Sequence, residues 1–227
     1  MIEIRKPITN INQYIDQTNI KAEAQPEEID RLCYNALEYR FASVAVNPCY
    51  VKRSAKILKN SMTAVDCAVG FPFGANTSKT KALEAQEAID NGAKEIDMVI
   101  NIGQLKSGND QYITKDIREV AKVTYRENAI LKVVIETILL TYDEKVRACL
   151  AALNGGADFV KTSTGTRSGG ATIADVLLMV ETVGNRMQVK AAGGIRSWET
   201  AKKLIEAGAT RLGTSEGIII FKEAQNS

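Results

Sequence analysis

Short apolar runs alternate with helix-spaced segments from about residue 14 onward, and no other feature of this 227-residue chain restricts its fold as much. The runs are YIDQT (14–18), FASVAV (41–46), TAVDCAVG (63–70), EIDMVIN (95–101), LKVVIET (131–137), DFVKTS (158–163), QVKAAG (188–193) and TRLGTS (210–215), eight in all. Between them apolar residues recur at i, i+3, i+4 and i+7, the spacing of one helix face. Ile29, Leu32, Cys33 and Ala36 follow it, as do Val146, Cys149, Leu150 and Leu153, and Ile173, Val176, Leu177 and Val180. Ile113, Ile117, Val120, Ala121 and Thr124 keep a further face. Thr141 with Glu144 forms a capping-box pattern, and Gly92 and Gly208 fall where helices should end. Eight βα units in so short a chain predict an α/β protein with a single (β/α)8 TIM barrel over residues 1–227, residues 1–13 being a short N-terminal extension. An open doubly wound sheet is the structural alternative.

Composition narrows the chemistry. A formal net charge of +2 leaves no electrostatic footprint for nucleic acid. No apolar run approaches the ~20 residues needed to span a bilayer, so no membrane partner is expected. MIEIRKPITN lacks the apolar stretch of a signal peptide, and Cys33, Cys49, Cys67 and Cys149 are scattered without a CxxC. These features predict a cytoplasmic protein with reduced cysteines that serve packing. The chain contains no histidine, which excludes Ser-His and Cys-His nucleophile pairs and argues against a catalytic zinc site. Acid–base chemistry falls to carboxylates, lysines, tyrosines, cysteines or water.

A weak repeat sharpens this reading. GAKEIDMV (92–99), GADFVKTS (156–163) and GATRLGTS (208–215) each join a helix end to a strand, and alignment on the glycine puts Asp97, Lys161 and Gly213 in one register. Strands of equal parity contribute inward side chains to a common barrel layer, so Asp97 and Lys161 are expected to face each other. The Gly-Ala part needs only a stereotyped turn; the Asp, Lys and Gly at equivalent positions do not follow from it.

Three lysines lie in strand segments: Lys132, Lys161 and Lys190. A lysine that is largely neutral near pH 7 must fall about 3 units from its ordinary pKa, which burial and a neighbouring cation can bring about. The chemistry that needs such an amine is attack on a carbonyl to form a Schiff base. Of the adjacent pair Lys161 and Lys190, one is a candidate nucleophile and the other the cation beside it; a structural ion pair is the competing reading. For Lys132 the expectation is a salt bridge to Glu136, at even spacing on the same strand face. The glycine-rich segments TSTGTRSGG (162–170), AAGGIRS (191–197) and LGTSEG (212–217) follow the last three strands, where this barrel often cradles phosphate. Arg196 and Ser215 are candidate donors there, and Glu216 opposes an anion. GFPFGANTS (70–78) reads as a turn that either only connects or also lines the mouth. Asp16 and Thr18 point inward if Ile15 points out, to contact substrate hydroxyls or each other.

EIDMVINIG, LKVVIET, ADFVKTSTG, VKAAGGIR and RLGTS, in that order, together with YIDQT and GFPFGANTSKTKALEA, resemble the 2-deoxyribose-5-phosphate aldolase family over nearly the whole chain from residue 14. The resemblance implies a class I aldolase without metal or other cofactor. Its reaction is reversible cleavage of 2-deoxy-D-ribose 5-phosphate to glyceraldehyde 3-phosphate and acetaldehyde. Lys161 in KTSTG is then the Schiff-base lysine, Lys190 in KAAGG the cation that lowers its pKa, and Asp97 in EIDMV the partner of a water in proton transfer. Gly165, Gly193, Gly194, Arg196, Gly213 and Ser215 fall on phosphate-binding positions, and Asp16 and Thr18 on substrate contacts. The implied partners are small phosphorylated sugars or aldehydes, and a homodimer is one assembly open to the chain. The sequence departs from the family pattern at Gln17, at Thr166 followed by Arg167, and at Glu216. These positions are expected either to weaken phosphate selectivity or to pair Arg167 with Glu216. Two alternatives stand beside this reading: a Schiff-base aldolase for another aldehyde or sugar, and a non-catalytic phosphate-binding barrel.

Overall fold

The structure, a computed structural model, describes residues 8–227. Eight strands alternate with helices: β1 (Ile15–Asn19), α1 (Pro26–Glu38), β2 (Ser43–Val46), α2 (Val51–Ile57), β3 (Ala64–Val69), α3 (Ser78–Asp90), β4 (Glu95–Val99), α4 (Ile102–Lys106), α5 (Asp110–Arg126), β5 (Ile130–Val134), α6 (Tyr142–Gly155), β6 (Phe159–Lys161), α7 (Ile173–Val183), β7 (Gln188–Ala192), α8 (Trp198–Glu206), β8 (Arg211–Thr214) and α9 (Gly217–Gln225). Each strand pairs in parallel with its sequence neighbours, and β1 pairs with β8 to close the barrel. The (β/α)8 expectation holds, with strand ends moved by a few residues, and the open sheet is excluded.

Strand alternation separates two environments. Val65, Cys67 and Val69 of β3, Ile96 and Met98 of β4, and Leu131 and Val133 of β5 enter the apolar shell shared with the helices. The alternate positions Asp66, Asp97 and Lys132 point to the barrel axis, where they meet across the interior. The driving force for folding is therefore in the outer shell, at roughly 25 cal/mol per Å² of apolar surface buried, and the interior is left free for polar groups.

Local signals account for the helix ends. α1 begins with Pro26 at its first position and a capping box between Gln25 and Glu28; α6 has the expected box between Thr141 and Glu144. Gly92 and Gly208, at φ +108° and +109°, follow α3 and α8 in the left-handed region that L residues avoid. The face expected for α1 is buried, and so is that of α5. Two faces are rotated from expectation. α6 buries Ala148, Cys149, Ala151, Ala152 and Gly155 while Leu150 is exposed; α7 buries Val176, Leu178, Met179 and Val183 while Ile173 and Leu177 are exposed. Close approach to α5 selects the small residues of α6: a Cβ on Gly155 would lie 2.5 Å from Ile117 Cγ2. α7 is apolar nearly all round, so spacing alone does not fix its inner face.

Residues 1–7 of the expected N-terminal extension lie outside the described residues. Ile11–Tyr14 form a 3-10 turn that places Ile11 in the core, and Asn12 and Gln13 donate side-chain hydrogen bonds to the Arg40 carbonyl at 3.1 and 2.8 Å. No helix among the described residues is long and apolar enough to cross a membrane.

Candidate active site

The barrel interior holds four carboxylates and four cations, all contributed by inward strand positions: Asp16 (β1), Asp66 (β3), Glu95 and Asp97 (β4), Lys132 (β5), Lys161 (β6), Lys190 (β7) and Arg211 (β8). Register sets them in layers. Lys161 lies opposite Lys190 in the β6–β7 pairing, and Lys132 opposite Asp97 in the β4–β5 pairing. In the layer nearer the strand N-termini, Lys132 Nζ donates to Glu95 Oε2 at 2.5 Å and Asp66 Oδ2 at 2.7 Å. Arg211 Nη1 donates to Asp16 Oδ1 at 2.7 Å and Glu95 Oε2 at 3.0 Å, and its guanidinium lies over the Phe159 ring. Ser43 Oγ donates to the same Asp16 oxygen at 2.7 Å.

Nearer the strand C-termini the ammonium of Lys190 is surrounded by three carboxylates, with Asp16 Oδ2 at 2.6 Å and Asp66 Oδ2 and Asp97 Oδ2 both at 2.8 Å. Lys161 Nζ donates to Asp97 Oδ2, so one oxygen serves both lysines. The other oxygen, Asp97 Oδ1, is buried with no hydrogen-bond partner.

The two lysines answer differently to these surroundings. Burial pushes the Lys161 pKa down, Asp97 opposes, and the Lys190 cation pushes it down further, with a net fall below the ordinary 10.5. Burial acts on Lys190 in the same sense, but Asp16, Asp66 and Asp97 together hold it well above the ordinary value. Asp97 is held well below the usual carboxylate range, because Lys161, Lys190 and Lys132 outweigh its burial. A permanent cation thus stands beside an amine that gives up its proton more readily than a free lysine.

Lys161 ends β6, and its neighbours build the mouth. A cavity of about 600 Å³ opens there, lined by Lys161, Thr18, Gly165, Gly193, Gly194, Arg196, Gly213 and Ser215 among others. The expected phosphate positions thus line one cavity together with the candidate nucleophile. The loops after β6 and β7 press together at their glycines: a Cβ on Gly170 would lie 2.2 Å from the Gly193 carbonyl oxygen. Thr164 Oγ1 donates to Glu136 Oε2 at 2.5 Å and so holds the KTSTG segment against the β5 loop. Glu136 is therefore engaged with Thr164 and not with Lys132. The expected Lys132–Glu136 pair fails because β5 ends at Val134 and Glu136 turns into the left-handed region at φ +53°, which breaks the strand alternation.

Gly213 explains the third member of the repeat. A Cβ there would lie 3.4 Å from Lys190 Cε and 3.0 Å from Ala192 Cβ, so glycine leaves room for the cationic side chain. Asp16 is fully buried in the ion network and takes no part in lining the cavity; Thr18 lines it and donates to the Asp16 backbone carbonyl at 2.9 Å. Gln17 stitches β1 to the β8–α9 loop, donating to the Ser215 carbonyl at 2.9 Å and accepting from the Gly217 N–H at 3.1 Å. Glu216 accepts from Ser215 Oγ at 3.0 Å rather than pairing with Arg167.

Sequence reasoning passed over several groups. Phe71, read as part of a turn, carries its ring to 5.7 Å from Lys161 Nζ and forms an apolar wall beside it. Asp66, Glu95 and Arg211 went unnoticed, although inward parity on β3, β4 and β8 was a usable signal. Cys33, Cys67 and Cys149 are buried as expected, whereas Cys49 is exposed. Burial pushes the Cys149 thiol up to about 12, which leaves it unreactive. Carboxylate oxygens of Asp16, Asp66 and Glu95 lie close enough together to share a metal ion, yet each already faces Lys132, Lys190 or Arg211, so a cation would have to displace the protein's own.

A (β/α)8 barrel with a buried lysine–aspartate–lysine centre under a glycine-rich mouth is an arrangement suited to carbonyl chemistry at an amine. A family model described as DeoC/LacD family aldolase matches residues 10–223, and the chain belongs to that family. It is 55% identical over 213 residues to a deoxyribose-phosphate aldolase of Streptococcus equi subsp. zooepidemicus, covering 94% of this chain and 96% of that one. A deoxyribose-phosphate aldolase of Geobacillus sp. is 53% identical, with 94% and 95% covered. Among solved structures, a tetrameric deoxyribose phosphate aldolase from Aeropyrum pernix superimposes with a TM-score of 0.88 at 27% identity, covering 95% of this chain and 91% of that one.

Proposed function

We propose that this protein is a class I aldolase that cleaves 2-deoxy-D-ribose 5-phosphate reversibly to glyceraldehyde 3-phosphate and acetaldehyde through a Schiff base on Lys161. The observation that carries the reading is the placement of Lys161: its amine is buried, lies beside the Lys190 cation and Asp97, and borders the cavity. The relatives named above support the substrate.

In this reading the neutral Lys161 amine adds to the substrate aldehyde, and loss of water leaves a protonated imine. Removal of the proton from the C3 hydroxyl breaks the C2–C3 bond, and the bonding pair moves into the imine to give an enamine. Glyceraldehyde 3-phosphate departs. Protonation of the enamine carbon and hydrolysis then release acetaldehyde and restore the amine. Asp97, hydrogen-bonded to Lys161, is the group suited to move these protons together with a water. Lys190 keeps Lys161 deprotonated and stays charged itself. Gly165, Gly193, Gly194 and Gly213 let backbone approach the phosphate, and Arg196 and Ser215 add donors. The reaction as written calls for no metal or cofactor. Asp16 acts from beneath the cavity by holding Lys190, and Thr18 acts as a substrate contact.

Glu216 supports one variation, a weakened preference for the phosphorylated sugar, since its carboxylate occupies Ser215 Oγ at the mouth. The test is release of glyceraldehyde 3-phosphate from 2-deoxy-D-ribose 5-phosphate, compared by kcat/KM with release of glyceraldehyde from unphosphorylated deoxyribose. Turnover of the phosphorylated sugar supports the assignment. A phosphate preference of several orders of magnitude contradicts the Glu216 variation, and no turnover of either sugar contradicts the assignment. A cytoplasmic location belongs to this reading, as does self-association, for which the support is the relative described as tetrameric.

A further inference from the structure

Asp66 has no part in the reaction above, yet it is fully buried and touches two of the three interior lysines. Its Oδ2 accepts from Lys132 Nζ at 2.7 Å and from Lys190 Nζ at 2.8 Å, while Oδ1 is buried without a partner. One oxygen therefore joins the lower ion cluster to the cation beside the nucleophile. We propose that Asp66 is a positioning residue that sets the pH range of the imine site, by fixing Lys190 and by supplying the fourth negative charge of the barrel interior. The proposal rests on the aldolase reading of Lys161.

The charge balance gives the reason. Burial and the neighbouring Asp97 push the Asp66 carboxyl up from its ordinary value, while the Lys132 and Lys190 ammonium groups at 2.7 and 2.8 Å favour its ionised form. With Asp16, Asp66, Glu95 and Asp97 ionised against Lys132, Lys161, Lys190 and Arg211, the interior is neutral. These groups come from β1, β3, β4, β5, β6, β7 and β8; on β3 itself the neighbouring Cys67 points to the outer shell. Without the Asp66 carboxylate the interior carries a net positive charge, and it sheds a proton at lower pH. Lys161 is the group that yields it, since it meets only Asp97 at ion-pair distance, whereas Lys190 keeps Asp16 and Asp97. The Asp66 charge pushes the pKa of both Lys161 and Lys190 upward. Asp66 thus holds the working range of the enzyme toward higher pH.

The test is the pH dependence of kcat/KM for Asp66→Asn, with the rate of borohydride trapping of acetaldehyde on Lys161 followed over the same range. Both limbs of the profile should move to lower pH, the acid limb by ~1 unit, a tenfold change in proton affinity. The value of kcat/KM at the shifted optimum should stay within tenfold of the wild type. Asp66→Cys, neutral and of similar volume, should give the same shift and serves if the asparagine variant does not fold; Asp66→Glu should restore the wild-type acid limb. A lower melting temperature with an unmoved acid limb in the neutral variants would show that Asp66 only holds Lys132, and would overturn the proposal. Failure of the wild-type protein to trap acetaldehyde would instead overturn the aldolase reading.

Discussion

Lys132 and Lys161 stand on adjacent strands of one barrel, and both are buried. Lys132 has carboxylate oxygens of Glu95, Asp66, Asp97 and Asp16 within 4.0 Å, at 2.5, 2.7, 3.6 and 3.9 Å, and its pKa is raised despite burial. Lys161, at the strand end, meets Asp97 alone, shares it with Lys190, and its pKa is lowered. Burial by itself therefore does not make a nucleophile. The number of carboxylates within reach decides whether a buried amine keeps its proton, and the strand-end position decides whether a carbonyl can reach it. In the lower cluster Lys132 is ringed by carboxylates, whereas in the upper one Lys161 has only the Asp97 that it shares with Lys190.

Breaking the upper cluster should have the largest effect. Lys161→Ala should lower kcat for deoxyribose phosphate cleavage by ~10⁴-fold or more, since no second amine borders the cavity in the same relation to Asp97. Lys190→Leu should follow, with a loss of about 10²–10³-fold at neutral pH and an acid limb moved upward, because the cation that depresses Lys161 is gone. Breaking the lower cluster should separate stability from chemistry. Lys132→Met should cost about 3–5 kcal/mol in chemical denaturation by leaving Glu95 and Asp66 short of a cation, while a refolded sample still traps acetaldehyde.

The interior ion pairs also set a pH response of stability. Asp16 is held below its ordinary 3.8 because Lys190, Arg211 and Lys132 outweigh burial. Its contribution to stability is fully present above that unfolded value and is lost as pH falls through the folded one. Lys190, raised above 10.5, contributes below that value and loses the contribution as pH rises through its folded pKa. Denaturation midpoints should thus change little from these groups between those limits and fall at both extremes. The smallest effect is expected at the mouth, where Glu216→Ser should raise the kcat/KM preference for the phosphorylated sugar ~2–5-fold.

The barrel was legible because apolar alternation and glycine punctuation are local properties of the chain. The residues Asp97, Lys161 and Lys190 were legible because strand parity places them on one axis, and the resemblance then gave them roles. The failures share a physical cause. The face of α6 depends on how closely Gly155 approaches Ile117, which no spacing rule encodes. The partner of Lys132 depends on β5 ending two residues before Glu136. Inward parity could have flagged Asp66 and Arg211, but their partners are set by contacts across the barrel, between residues more than a hundred positions apart in the case of Asp66 and Lys190.

The central claim is that Lys161 is the amine that becomes covalently attached to substrate. Incubation of the protein with acetaldehyde and borohydride, followed by peptide mass mapping, tests it directly. A single reduced ethyl adduct on Lys161, lost in Lys161→Ala and absent from the interior Lys132, is the predicted result. An adduct on Lys190 or Lys132 in place of Lys161, or none while the folded protein is intact, would contradict it.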